Sequence, residues 1–177
     1  MKKSLLFVLG LFVFGFVLAD NQKGDAVIGS YNPDPNSGNV VPAFNFYAAP
    51  STYGAATSSI TIFANYEMPM IDPNLTLGPE VGIGVGGSLN GISSSTIIVS
   101  VKATYYADWL IPNMPDQFDV FLSSTAGLYM SMGTSSTFGA HYGNYIGGRW
   151  NFTENMSVYA QVGHGNSFVA GGISFKF

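Results

Sequence analysis

The sequence predicts an all-β fold, an eight-stranded antiparallel up-and-down barrel, and three observations predict it. Apolar residues recur at every second position over long stretches, which is the period of a strand. Clusters of Pro, Asn, Asp and Gly cut the chain into stretches of similar length. Charged residues make up only 9% of the chain, against about a quarter in ordinary soluble domains, so its surface must be covered by something other than charge.

The chain opens with Lys2 and Lys3, an apolar run from Leu5 to Leu18, and small or moderate residues up to Ala19, followed by the polar "DNQKGD". A run of this length, too short to span a bilayer as a helix, reads as a signal peptide over residues 1–19, cleaved near Ala19. Residues 20–39 read as a partly irregular N-terminal segment, and residues 40–177 as the barrel. With no Cys in the chain, disulfides, thiolate chemistry and a lipid anchor on cysteine are excluded. Beyond the signal, Lys23, Lys102, Arg149 and Lys176 face ten carboxylates. That leaves no basic patch for nucleic acid, whose binding depends on neutralising phosphates.

The strands follow in order. "VVPAFNFYAAP" (40–50) is taken as the first, with "GDAVIGSY" (24–31) as its rival, and 57–68 and 75–89 follow around the "IDPN" turn. The clearest alternation is in 94–109, where Ile97, Val99, Val101, Ala103, Tyr105, Ala107 and Trp109 oppose Ser100, Lys102, Thr104, Tyr106 and Asp108. In 117–132, Phe118, Val120, Leu122, Ala126, Leu128, Met130 and Met132 oppose Gln117, Asp119, Ser123, Thr125, Tyr129 and Ser131. In 137–152, Phe138, Ala140, Tyr142, Ile146, Trp150 and Phe152 oppose His141, Tyr145, Arg149 and Asn151, with Asn144 the misfit on the apolar face. Strands 156–164 and 167–177 complete the set. The loops at one end are expected to be short, apart from "PSTYGAATS" (50–58).

Strands of this length suit a bilayer, which about nine to eleven tilted residues cross. Lipid offers no hydrogen bonds, so such strands must close on themselves. Closure also accounts for the chain's apolar ending, "SFVAGGISFKF", an exposed edge in any open sheet. Aromatics near the strand ends, Tyr66, Trp109, Phe118, Trp150, Phe152 and Phe177, fit a girdle at one membrane interface.

"GGRWNFTENMSVYAQVGHGNSFVAGGISFKF" resembles the C-terminal half of the small eight-stranded outer-membrane β-barrel proteins of diderm bacteria. There an Arg-aromatic strand end, a "TEN"-type turn, a strand with an inward polar residue and a last strand ending in Phe occur in this order. The resemblance spans about residues 58–177. It implies an outer-membrane location and a terminal strand, Val169, Gly171, Ile173, Phe175 and Phe177, read by the outer-membrane assembly machinery. It implies no particular activity.

The motifs that could carry chemistry each have a structural alternative. Gly82, Gly84 and Gly87 satisfy G-x-G-x-x-G, but no helix follows to hold a pyrophosphate; the glycines are read as sharing the inward face with Glu80. Glu67, Glu80, Asp108, Asp119, Lys102, Arg149 and Lys176 could pass for acid–base machinery. In a lumen just wide enough for its own side chains they are expected to form a paired network, with Glu67, Glu80, Lys102, Asp119 and Arg149 at its centre. His164 with Ser167 suggests a deacylase of the kind found among outer-membrane barrels, yet "HGNS" has a looser spacing than that family and no carboxylate after Glu154. His164 is placed at the rim and His141 in the lumen. The reading is a non-enzymatic, monomeric barrel without cofactor or metal, its partners being outer-membrane lipid and the assembly machinery. A narrow pore and a secreted lipocalin-like barrel are the alternatives, and the second requires the opposite polarity, apolar within and charged without.

Overall fold

The alternation sorts residues into eight strands because a closed sheet gives each strand one face toward the lumen and one away from it. They are β1 (Ala43–Tyr53), β2 (Thr57–Pro69), β3 (Leu75–Gly87), β4 (Ser93–Tyr106), β5 (Phe118–Met132), β6 (Thr137–Asn151), β7 (Met156–Gly165) and β8 (Val169–Lys176). This is a computed structural model, which describes residues 41–53, 57–70, 72, 74–87, 93–111, 114, 115, 117–133 and 136–177. The predicted signal peptide, the segment 20–39 and the rival strand 24–31 lie outside the described residues.

Each strand pairs antiparallel with the next, and β8 pairs with β1 to close the barrel. The ladders carry Ala43 to Glu67, Gly78, Lys102, Thr125, Gly143 and Gly165. Prolonged through β8, the line returns to β1 near Tyr53, ten residues above its start. Eight strands with that stagger tilt by about 43° and enclose a backbone cylinder of roughly 8 Å radius. Side chains fill such a lumen.

Three features depart from the sequence reading in ways that bear on the lumen and its mouth. β1 runs on through Pro50 to Tyr53 where a loop was expected. The pairing of β1 with β8 stops at Ala48 opposite Gly171, so the missing Pro50 N–H falls beyond the β8 ladder, a place where a strand tolerates proline. β4 stops at Tyr106 instead of position 109, and Asp108–Leu110 form a single 3-10 turn. The cause is a clip to β5: Ala107 N–H donates to Val120 O at 2.8 Å, and Val120 N–H donates back to Asp108 Oδ1. Asp108 therefore sits at the barrel mouth and not on an inward strand face. Lastly, Gly82 and Gly84 point inward, but Gly87 has the opposite parity and is exposed.

Candidate functional site

The strands direct their charged residues to one side only. Glu67, Glu80, Lys102 and Arg149 are buried in the lumen, and Asp119 and Lys176 stand at its mouth, at the end where β1 begins and β8 finishes. No Asp, Glu, Lys or Arg points outward from a strand among the described residues.

Glu80 occupies the middle of the lumen. Its Oε1 accepts from Ser100 Oγ at 2.9 Å and Thr125 Oγ1 at 2.8 Å, and Tyr47 OH donates to Oε2. His141 Nε2 lies 3.7 Å from Oε1, while its Nδ1 is 3.4 Å from Tyr53 OH. Toward the terminal end, Glu67 accepts from Tyr106 OH at 2.7 Å and Thr104 Oγ1 at 3.3 Å, and pairs with Arg149 Nη2 at 3.4 Å. The guanidinium lies over the Tyr106 ring at 5.2 Å and reaches Asn45 Oδ1 at 3.4 Å. At the mouth, Lys176 Nζ and Asp119 Oδ2 are 3.6 Å apart, and Asn151 Nδ2 donates to Asp119 Oδ1 at 3.1 Å.

The sequence reading placed Lys102 among paired charges, and the geometry differs. No carboxylate lies within salt-bridge reach of it among the described residues. Its Nζ donates to Gln161 Oε1 at 3.3 Å and sits 4.7 Å from the centroid of the Tyr47 ring, so an amide and an aromatic face solvate the ammonium. Asp119 pairs with Lys176 and not with Glu80 or Lys102, so two ion pairs, Arg149–Glu67 and Lys176–Asp119, and the hydroxyl-caged Glu80 beside His141 stand where one continuous network was expected.

Sequence reasoning missed the apolar part of the lumen. Phe63, Ile98 and Phe121 are buried among Tyr47, Tyr53, Tyr106, Tyr129 and Tyr159. Large inward rings fit a narrow cylinder more readily where a neighbouring strand has no side chain opposite. Phe63 lies opposite Gly82 and Phe121 opposite Gly147. A Cβ on Gly82 would come within 2.7 Å of the Phe63 ring, and one on Gly147 would overlap the Phe121 ring. Part of the "GIGVGG" motif is thereby explained as space for an aromatic, and cross-strand register was the signal that could have found it.

The outer face is the converse. Ile60, Ile62, Val81, Ile83, Val99, Val101, Leu122, Leu128, Ile146 and Val162 are exposed. Aromatics gather at the terminal end: Tyr66 with Phe44 at 4.7 Å, Phe44 with Phe177 at 5.8 Å, and Phe118, Trp150 and Phe152 in a row at 6.5 and 6.3 Å. Phe44 joins the girdle unanticipated, and the Trp109 side chain lies outside the described residues. The final strand is seated on both sides, with Phe177 N–H donating to Pro42 O at 3.1 Å. Val169, Gly171, Ile173 and Phe177 have exposed outward positions, and Phe175 is partly covered by Phe46. His164 is exposed on the outside of β7, whereas Ser167 is buried and donates to Val169 O at 3.0 Å. The two do not meet.

No protein-family model matches the chain, and no curated protein matches it. Among solved structures, the chain is similar to the crystal structure of Neisserial surface protein A, with 17% sequence identity over 77% of this chain and 94% of that one, at a TM-score of 0.45.

Proposed function

We propose that the chain is a non-catalytic integral barrel of the bacterial outer membrane, with a lumen plugged by its own side chains and a role in envelope structure or surface interaction. One observation carries this reading: every described charged side chain on the strands points inward, while the large outward side chains are mostly Ile, Val, Leu, Met and Phe. A soluble ligand-binding barrel needs the reverse arrangement. A face of this kind has to be covered by hydrocarbon, because large exposed apolar surfaces do not persist in water. The aromatic girdle at the terminal end supplies an interfacial anchor.

The plug disfavours the pore alternative. Phe63, Ile98, Phe121 and the tyrosines pack the lumen interior around the Glu80 and Glu67 groups. The test is to fractionate membranes from cells making the full chain, and to run the detergent-extracted protein with and without boiling. Recovery in the outer membrane with heat-dependent migration is expected, and planar bilayers should show no steady large channels. Recovery as a soluble periplasmic protein would overturn the membrane reading, and stable openings on the order of a nanosiemens would replace the plug with a pore.

A further inference from the structure

One part of the outer face breaks the apolar rule. Ser124 on β5, Asn144 on β6 and His164 on β7 are direct cross-strand neighbours, and all three point outward. Ser124 Oγ donates to Asn144 Oδ1 at 2.7 Å. Apart from Thr52 and Ser95 near the opposite strand ends, they are the outward polar residues, tyrosines aside, among the described strand side chains.

Their depth matters, and here the inference rests on the membrane reading above. Asn144 lies six positions along β6 from Trp150 of the girdle. With a rise of about 3.3 Å and a tilt of about 43°, that is roughly 14 Å into an apolar band about 25 Å tall. Head groups do not reach that depth, and acyl chains offer no hydrogen bonds. The Ser124 hydroxyl engages one lone pair of Oδ1, while the Asn144 Nδ2 hydrogens have no partner among the described residues. Such groups are costly in hydrocarbon until something pairs with them.

We propose that β5, β6 and β7 form an intramembrane contact with a second copy of this chain, centred on a reciprocal Asn144–Asn144 carboxamide pair. A carboxamide is donor and acceptor at once, so it complements itself across a two-fold axis. An axis parallel to the barrel and passing beside Asn144 brings the β5 side of one copy toward the β7 side of the other, turning Ser124 toward His164. The strip carries no formal carboxylate, ammonium or guanidinium, so a strongly charged partner has nothing to engage. Around it the outward positions alternate between large apolar residues, Leu122, Tyr142, Ile146 and Val162, and small ones, Ala126, Ala140, Gly148 and Ala160; the small ones leave gaps that the large ones of a second copy can enter.

The chain has no Cys, so single cysteines report the contact directly. Ile146→Cys lies beside Asn144 on β6, Leu122→Cys is a second reporter on β5, and Ile62→Cys on β2 faces the opposite side of the barrel. Oxidation of native membranes should give covalent dimers of the first two at least tenfold above Ile62→Cys. Adding Asn144→Leu should remove most of that product, and Asn144→Gln should retain it. Equal cross-linking at all three sites, none at any, or full retention with Asn144→Leu would overturn the contact and leave the strip to lipid or another protein. Heat-dependent migration of the same samples separates the two failures. If it is intact without cross-links, only the dimer falls; if it is lost, the barrel reading falls with it.

Discussion

Glu80 and Glu67 are buried carboxylates in the same lumen, yet they are held by different means. Glu80 is caged by hydroxyls from Tyr47, Ser100 and Thr125, and its near basic partner is His141, which carries charge only when protonated. Glu67 has two hydroxyls and a guanidinium, which is always charged. The surroundings differ in the same sense. On the β6–β8 side of the Glu67 level, Arg149 Nε, Ser157 Oγ, Tyr159 OH and Ser174 Oγ are buried without a hydrogen-bond partner among the described residues. The Glu80 level is thus held by hydrogen bonds from β1, β4 and β5, whereas at the Glu67 level both hydroxyls come from β4 and one fixed charge supplies the link to another strand. The middle of the barrel should be rigid, and the terminal end sensitive to a single residue.

The largest effect should follow from removing that charge. Arg149→Met leaves Glu67 buried and unpaired, and breaking a buried pair costs about 3–5 kcal/mol. Unfolding by urea in lipid vesicles should show the loss, and Arg149→Met combined with Glu67→Gln should recover most of it. A single variant as stable as the parent would mean that the hydroxyls alone hold Glu67, and the contrast between the two levels would disappear.

The hydroxyl cage predicts a smaller and more distributed response. Thr125→Val keeps the shape but removes a 2.8 Å donor from Glu80. Losing a hydrogen bond to a buried charge costs about 1–3 kcal/mol. The remaining donors from Tyr47 and Ser100 should limit the loss to the lower part of that range in the same unfolding assay.

How far these levels could be read in advance depends on which link of the chain is asked about. The inward parity of Glu67, Glu80, Lys102 and Arg149 was legible, because a strict period of two fixes the face once one residue is assigned. The partner of each was not. Lys102 reaches Gln161 on β7 and Tyr47 on β1 because of the stagger accumulated around the whole barrel, which no local pattern encodes. The inward positions of Phe63 and Phe121 follow from the same parity, but how such large rings fit does not, because only their registration against Gly82 and Gly147 makes room for them within. The end of β4 was missed because alternation continues to Trp109, while the Asp108–Val120 clip that stops the strand is a contact between elements.

Burial of Asp108 gives the terminal mouth a pH dependence. Burial pushes the Asp108 carboxyl up to about 6, with the neighbouring Asp119 charge adding to the effect. A carboxyl raised in the folded state binds its proton more tightly there than in the unfolded chain. Its contribution is therefore fully present below the ordinary carboxylate range and is lost as pH rises through about 6. Between roughly pH 4 and 6 the barrel should lose stability as pH rises, by an amount that the partial exposure of Asp108 moderates, and Asp108→Asn should flatten the slope over that window. An unchanged slope in the variant would assign the dependence to other groups.

The smallest effect separates the two levels most sharply. Ser157 and Ser174 face each other across β7 and β8, and each is fully buried with a hydroxyl that has no hydrogen-bond partner among the described residues. Replacing a satisfied buried hydroxyl costs stability, whereas removing an unsatisfied one takes away a desolvation penalty. Ser157→Ala and Ser174→Ala should therefore be neutral or slightly stabilising, although Thr125→Val, an equally local loss of one hydroxyl, is destabilising. The comparison holds residue depth and the size of the change nearly constant and varies only whether the oxygen is engaged. If both serine variants cost as much as Thr125→Val, these hydroxyls are engaged after all. The Glu67 level would then be a hydrogen-bonded network like the one around Glu80, and Arg149 would lose its special position.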